Sequence, residues 1–196
     1  VIHEEHEEDI MRLGGVREGD LYDAVLDTPR SRFSWLFVNL LTAIVASAVI
    51  GLFDATLDEI VALAILMPIV ASMGGNAGTQ TLTVVVRALA MKELTATNTT
   101  RLVGKEVLVG CANGLVFAVL TGGVVWGWFG NPMLGGVIAI AMVVNMLVAG
   151  LAGTVIPLIL DRNDIDPAIA SSVFLTTITD VVGFFVFLGL AALILL

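Results

Sequence analysis

Residues 167–196 read PAIASSVFLTTITDVVGFFVFLGLAALILL, and Asp180 is the only charged residue in this stretch. The stretch is long enough to cross a bilayer, since about 20 apolar residues suffice for one helical crossing. A carboxylate in the middle of such a helix is costly, so it normally faces a bundle interior or a watery path. The stretch therefore predicts a membrane transport domain that handles an ion at Asp180.

The composition of the whole chain is typical of a membrane protein. Of its 196 residues, 58% are hydrophobic and 14% are charged, and the mean hydropathy is +1.00, far above the value for a soluble globular chain. The formal net charge of -9 arises mostly from acidic residues outside the apolar segments. This balance argues against a nucleic-acid partner and is compatible with cations.

The spacing of the charged residues divides the chain into five predicted membrane spans. Residues 107–160 carry no ionisable group except Cys111, and this run is too long for one helix. Gly-Asn-Pro at 130–132 supplies turn chemistry near its middle, so the run is predicted to fold into a hairpin of two spans. We expect an all-α membrane protein with an acidic connecting helix and amphipathic linker at 1–32 and a five-span domain at 33–196. The predicted spans are 33–53, 59–91, 102–129, 134–160 and 167–195.

The basic residues predict the orientation of these spans, because cytoplasmic loops carry the excess of Lys and Arg. With the N-terminus inside, all nine basic residues fall on the cytoplasmic side. The opposite loops then carry Asp54, Asp58, Glu59 and the uncharged turn at 130–132. We therefore expect an N-in, C-out topology. The basic residues are Arg12, Arg17, Arg30, Arg32, Arg87, Lys92, Arg101, Lys105 and Arg162.

The second predicted span contains Pro68 and the run MGGNAGTQ at residues 73–80. Proline and glycine weaken the hydrogen-bond ladder of a helix, so we expect a kink or a local irregularity here. If the segment is helical, Asn76 and Gln80 lie four residues apart on one face. The alternative is a helix-packing face of small residues with satisfied amides. Polar residues in two separate spans, one of them charged, favour an ion pathway over packing.

The oxygen-rich chemistry of these spans suits a hydrated divalent cation. Mg²⁺ sheds water reluctantly and is typically held by one or two carboxylates plus waters. One Asp180 per chain becomes two in a symmetric dimer, and the hydroxyl and amide groups nearby can hydrogen-bond the retained waters. No Cys or His lies beside Asp180 in its span, which argues against a soft transition-metal site.

Four motifs follow one another along the chain: Pro68 with GGNAGTQ at 74–80, RALA at 87–90, DPA at 166–168 and TTITDVVG at 176–183. Together they resemble the membrane domain of the MgtE family of magnesium channels over essentially the whole chain. The resemblance implies a homodimer whose pore is lined at the subunit interface by the second and fifth spans. It also implies a Mg²⁺-selective channel of the bacterial inner membrane that conducts Mg²⁺ down its electrochemical gradient.

The resemblance assigns roles to residues at the matching positions. It implies metal binding at Asp180, with Asp166 as a further candidate at the inner mouth. Some members of the family have Asn followed by Pro where this chain has Ser172 and Val173, so the local pore geometry is expected to differ there. The pore-lining residues that the resemblance implies are Gly75, Asn76, Gly78, Gln80, Ser172, Thr176 and Thr177.

The start of the chain, HEEHEEDIMRLG at 3–14, resembles the end of an acidic helix of that family. There the helix joins cytosolic N and CBS regulatory domains to the pore and closes the gate when internal Mg²⁺ is high. Glu8 and Asp9 match its acidic pair, so the resemblance implies Mg²⁺ as both transported and regulatory ion. Since the chain begins with Val1, we expect these regulatory domains to lie upstream of it. Taken without the family, a solvated acidic helix face explains the same residues.

Two rival functions are compatible with parts of the sequence. A cation-coupled secondary transporter also uses a broken helix and an intramembrane carboxylate, although the two halves of this chain show no convincing similarity. An intramembrane aspartyl protease would need two cooperating carboxylates, and the predicted spans place only Asp180 deep in the membrane. We therefore expect no enzymatic activity and keep the coupled transporter as the alternative.

Overall fold

The structure is a computed structural model that describes residues 27–94 and 96–196. All regular structure within these residues is helical, which confirms the predicted all-α class. The helices are numbered in chain order. They are α1 (Asp27–Gly51), α2 (Asp54–Glu59), α3 (Ala62–Ala90), α4 (Ala96–Phe129), α5 (Pro132–Arg162) and α6 (Pro167–Ile194).

Five helices of the described residues, α1 and α3 to α6, are long and apolar enough to cross a membrane. The predicted number of spans is therefore confirmed. Helix α1 starts at Asp27, earlier than the predicted residue 33. Helix α3 is continuous from Ala62 to Ala90 and contains Pro68 and the glycine run. A proline removes one bond of the helical ladder, and the kink or irregularity expected there stays a prediction. The N-in, C-out topology stays a prediction.

The turn at 130–132 closes α4 and α5 into an antiparallel hairpin. Gly130 has a positive φ of 66°, a backbone conformation that glycine adopts without steric cost. The side chain of Asn131 caps α5 by accepting from the backbone N–H groups of Met133 and Leu134, at 3.0 and 3.2 Å. Pro132 occupies the first turn, where its missing N–H is not needed. The predicted hairpin is confirmed.

Small residues let the two arms of the hairpin approach closely. A Cβ added to Gly110 would lie 2.7 Å from the carbonyl oxygen of Met146, and one added to Gly122 would lie 2.9 Å from that of Gly135. Such backbone contacts leave no room for a side chain. Gly110 and Gly122 of α4 therefore serve helix packing.

Helix α5 lies at the centre of the bundle, against α3, α4 and α6. Its side chains supply much of the core, including Ile138, Met142 and Met146. Helix α1 packs mainly along α6 and leaves most of its apolar side chains exposed. Four helix ends among the described residues bear basic residues on the helix or in the turn beside it, namely the N-terminal ends of α1 and α4 and the C-terminal ends of α3 and α5. We call this end of the bundle the basic end.

Candidate ion-permeation site

Asp180 lies near the middle of α6. It is about 20 Å from either end of the helix, at about 1.5 Å of rise per residue. Its side chain is half-buried. No basic residue follows Arg162 in the sequence, and within the residues that the structure describes no ion pair to Asp180 is formed. The carboxylate therefore stands midway along α6 without a counter-charge from the described residues, which is an arrangement that suits a cation.

The hydroxyl groups next to Asp180 bond to their own helix. Thr176 Oγ1 donates to the carbonyl oxygen of Ser172 at 3.0 Å, and Thr177 Oγ1 donates to that of Val173 at 2.6 Å. Because each hydroxyl uses its hydrogen in this way, its oxygen lone pairs remain acceptors. Water molecules around a cation present hydrogens outward, so acceptors are the groups that a hydrated cation needs.

A polar face runs along α3. Asn76 and Gln80 are both exposed in this continuous helix, and Asn76 Nδ2 donates to Ser72 Oγ at 3.3 Å. In hydrocarbon such a face would be costly, because lipid offers no hydrogen-bond partners. The face therefore lies against water or protein in the membrane. Its exposed polar members are Ser72, Asn76, Thr79, Gln80, Thr83 and Arg87.

Helices α3 and α6 are in contact both before and after Asp180 along α6. Gly78 is buried, and a Cβ added there would lie 2.7 Å from Leu175 Cδ1 on α6. On the other side, Gly183 packs against Val70, where an added Cβ would lie 3.1 Å from its Cγ1. Gly75 differs from Gly78, because a Cβ added to Gly75 meets nothing within 4 Å. Gly75 thus borders open space, whereas Gly78 is a packing position in one subunit.

The side chain of Asn145 on α5 packs between α3 and α6. Its Nδ2 donates to the carbonyl oxygen of Val70 at 2.8 Å. The same amide faces Gly74 on α3 and Gly183 on α6, so only glycine fits at either position without displacement. Asn145 is therefore an interhelical hydrogen-bond partner. The sequence could not reveal which helices it joins.

Asp166 caps the N-terminus of α6 at the basic end, where its side chain accepts from the backbone N–H of Ala168 at 2.9 Å. It lines a cleft of about 270 Å³ together with Asp161 and the last turn of α3. Two carboxylates facing one cleft attract cations to this end of the bundle. Asp166 therefore caps the helix, and any role in ion handling would be in addition to this structural role. Ser172 lies between Asp166 and Asp180 along α6 and is half-buried.

The sequence reasoning missed Glu106. No role was assigned to this residue within the predicted span 102–129, yet Glu106 lies inside α4 and is only 6% exposed. Its carboxylate accepts from Thr81 Oγ1 of α3 at 3.0 Å. A signal was present in the sequence, because Glu106 continues the four-residue spacing of Gly110, Gly114 and Ala118 along the packing face of α4. Glu8 and Asp9, by contrast, lie outside the described residues.

With this geometry in place, comparison with known proteins identifies the family. Residues 67–190 match the model of the MgtE family, described as divalent cation transporters. The chain belongs to the MgtE family. The matched region covers most of α3 and α6 and all of α4 and α5, and hence every described residue of the candidate site.

Three curated relatives named magnesium transporter MgtE resemble this member of the MgtE family. The protein of Thermus thermophilus is 34% identical over 198 residues, which are 100% of this chain and 44% of the relative. That of Bacillus subtilis is 36% identical over 160 residues, 82% of this chain and 36% of the relative. That of Enterococcus faecalis is 35% identical over 193 residues, which are 98% of this chain and 43% of the relative. This MgtE chain thus spans less than half the length of the relatives that it matches.

Proposed function

We propose that the chain forms the pore domain of a Mg²⁺-selective channel in the bacterial inner membrane, working as a homodimer. The observation that carries this proposal is Asp180, a carboxylate near the middle of α6 to which the described residues supply no basic partner. Such a residue is retained in a membrane helix when it meets a charged ligand or water. The names of the relatives support Mg²⁺ as that ligand.

The proposed ion path runs between two copies of the α3 and α6 pair. Each copy contributes Asp180, the back-bonded hydroxyls of Thr176 and Thr177, and the exposed amides of Asn76 and Gln80. Two carboxylates with several acceptors suit an ion that keeps its waters, as Mg²⁺ does. The exposed polar face of α3 supports a second copy, since burying it at an interface removes it from lipid. Gly75, Gly78 and Ser172 are included in the proposed lining.

The proposal extends to regulation through the acidic start of the chain. Glu8 and Asp9 would gather cytosolic Mg²⁺ between clustered carboxylates that otherwise repel one another. Regulatory N and CBS domains upstream would transmit this binding to the pore. In this account Mg²⁺ is both cargo and effector, and deletion of the regulatory part leaves flux insensitive to internal Mg²⁺.

Mg²⁺ uptake into proteoliposomes tests the proposed pore. We expect Asp180→Asn to lower Mg²⁺ flux at least tenfold, or to abolish selectivity over Na⁺, at equal incorporation into the vesicles. The matched control is Asp164→Asn, which removes the same charge from an exposed turn at the basic end and is expected to leave flux within twofold. Selective flux that survives in Asp180→Asn would move the ion site elsewhere.

The same vesicles separate a channel from the coupled alternative. A channel conducts along the Mg²⁺ electrochemical gradient alone, so flux is expected to persist when Na⁺ and proton gradients are collapsed. Flux that stops under those conditions would favour a cation-coupled secondary transporter.

A further inference from the structure

A cleft that contains several polar side chains lies between α3, α4 and α5. Its volume is about 130 Å³, enough for several water molecules, each of which occupies about 30 Å³ in the liquid. The side chains of Gln80 and Thr81 line it from α3, and those of Glu106 and Asn113 line it from α4. We call it the Glu106 cleft. It contains four oxygen-bearing side chains and no residue of the Asp180 helix.

The charge of Glu106 is poorly compensated by the described residues around it. Its carboxylate accepts one hydroxyl hydrogen bond, from Thr81. Its ion-pair partner is Lys105, whose Nζ lies 3.7 Å from Oε1 and whose side chain is 67% exposed. Ion pairs of that length with an exposed partner contribute little, whereas a buried carboxylate requires close partners. The site therefore lacks positive charge where Glu106 is buried.

The position of Glu106 along α4 bears on how an ion would reach the cleft. Helix α4 continues from Glu106 to its end at Phe129. Over that length it rises about 35 Å, at about 1.5 Å per residue. This rise slightly exceeds the thickness of the hydrocarbon core, which is roughly 30 Å. If Phe129 marks the opposite boundary, we expect Glu106 to lie near the boundary of the hydrocarbon core on the basic side, where an ion reaches it from water.

We propose that the Glu106 cleft binds a hydrated divalent cation, with Glu106 as its carboxylate and the oxygens of Gln80, Thr81 and Asn113 holding the ion's waters. A single carboxylate with retained waters is a sufficient site for a small divalent cation. Helices α3 and α4 otherwise have few contacts with each other, so the bound ion links them. Gln80 lines both the Glu106 cleft and the proposed ion path. A cation bound in the cleft would therefore lie next to that path. The site itself depends on no feature of Asp180.

A spin label beside the cleft reports on binding at this place alone. The label is attached through Val109→Cys, at an exposed residue lining the cleft, in a Cys111→Ala background in nanodiscs. Mn²⁺, a paramagnetic divalent cation, is expected to broaden the nitroxide spectrum, and excess Mg²⁺ is expected to reverse the effect.

A second label provides the distance control. It is attached through Leu120→Cys, at a residue that is exposed on the same helix. That position lies about 17 Å farther along the helix axis than Val109. The broadening by Mn²⁺ is expected to be at most a fifth of that at Val109→Cys, because it falls steeply with the distance between the ion and the nitroxide.

Three substitutions decide whether Glu106 holds the ion. Glu106→Gln is expected to weaken the Mn²⁺ effect at least tenfold, while Glu93→Gln, the same change at an exposed turn, leaves it unchanged. Lys105→Gln is expected to strengthen Mn²⁺ binding at least threefold, because it removes a competing cation. Broadening that is absent from the parent protein, or that persists in Glu106→Gln, overturns the proposal.

Folding of the variants does not limit the test. If Glu106→Gln fails to fold, Lys105→Gln gives the answer, since that residue is exposed and its replacement leaves the buried carboxylate in place. Unchanged or weaker Mn²⁺ binding in Lys105→Gln would mean that Glu106 serves only as its ion-pair partner. Mg²⁺ flux in the Asp180→Asn vesicles is a separate measurement, so the two proposals fail independently.

Discussion

Asn145 Nδ2 donates a hydrogen bond to the carbonyl oxygen of Val70 at 2.8 Å, and the side chain is completely buried. Its Oδ1 has no hydrogen-bond partner among the described residues. The bond joins the central helix α5 to α3 at the level where α3 also meets Gly183 of α6. One amide therefore fixes the distance between the two helices of the proposed ion path.

Asn145→Ala is expected to destabilise the protein. The change removes the interhelical bond, which in membrane proteins contributes about 0.6 kcal/mol and at most about 1.7 kcal/mol, and it leaves a cavity. We expect a loss of about 1–3 kcal/mol in the free energy of unfolding, measured by SDS denaturation in mixed micelles. An unchanged unfolding free energy would mean that the bond and the packing around it contribute nothing.

Gly74→Ala and Gly75→Ala are a matched pair on one helix. A Cβ at Gly74 meets the amide of Asn145, whereas a Cβ at Gly75 meets nothing within 4 Å. Overpacking of this kind costs about 1–3 kcal/mol, so we expect Gly74→Ala to destabilise and Gly75→Ala to leave the unfolding free energy unchanged or slightly raised. Mg²⁺ flux is expected to fall in Gly75→Ala nonetheless, because the new methyl group enters the proposed path.

A double substitution checks the cause assigned to Gly74. Asn145→Ala removes the atoms that the new Cβ would meet, so the cost of Gly74→Ala should shrink in that background. Costs that simply add would show that the two residues do not interact.

Thr81→Val and Thr83→Val separate a buried hydroxyl from an exposed one. Thr81 donates to the buried carboxylate of Glu106, whereas Thr83 donates to its own helix at the carbonyl of Thr79. Loss of a donor to a buried charged group costs about 1–3 kcal/mol. We expect Thr81→Val to lower the unfolding free energy by that amount and Thr83→Val by less than about 0.5 kcal/mol. Equal effects would contradict the role given to Thr81.

Asp166 can be tested for capping and for charge separately. Asp166→Ala removes the cap of α6 and is expected to cost about 1 kcal/mol. Asp166→Asn keeps an oxygen that caps nearly as well but removes the charge from the cleft, so stability is expected to stay close to that of the parent. If Mg²⁺ flux falls in Asp166→Asn, the charge acts in ion handling; if flux is unchanged, Asp166 only caps the helix.

The predictions made from sequence were most accurate for features that depend only on the length and hydrophobicity of a segment or on the backbone preference of a residue. Long uncharged runs indicated the five helices, and the turn at 130–132 was found because Gly130 and Pro132 have fixed backbone preferences. The kink or irregularity predicted around Pro68 stays a prediction, while the helix itself is continuous through this segment. Glu106 was missed because a charge at the edge of an apolar run is usually solvated, and only its contact with Thr81 distinguishes it.

By itself the sequence determined the membrane class, the number of spans and the family, because these depend on composition, on the length of apolar runs and on short motifs. It also determined that Asp180 has no basic residue in its helix. The tertiary structure alone decided which glycines pack and which border open space, since Gly74 and Gly75 are adjacent and differ only in their neighbours. It likewise decided that Asn145 joins α3 to α6 and that Glu106 is buried, because contacts between residues far apart in the chain exist only after folding.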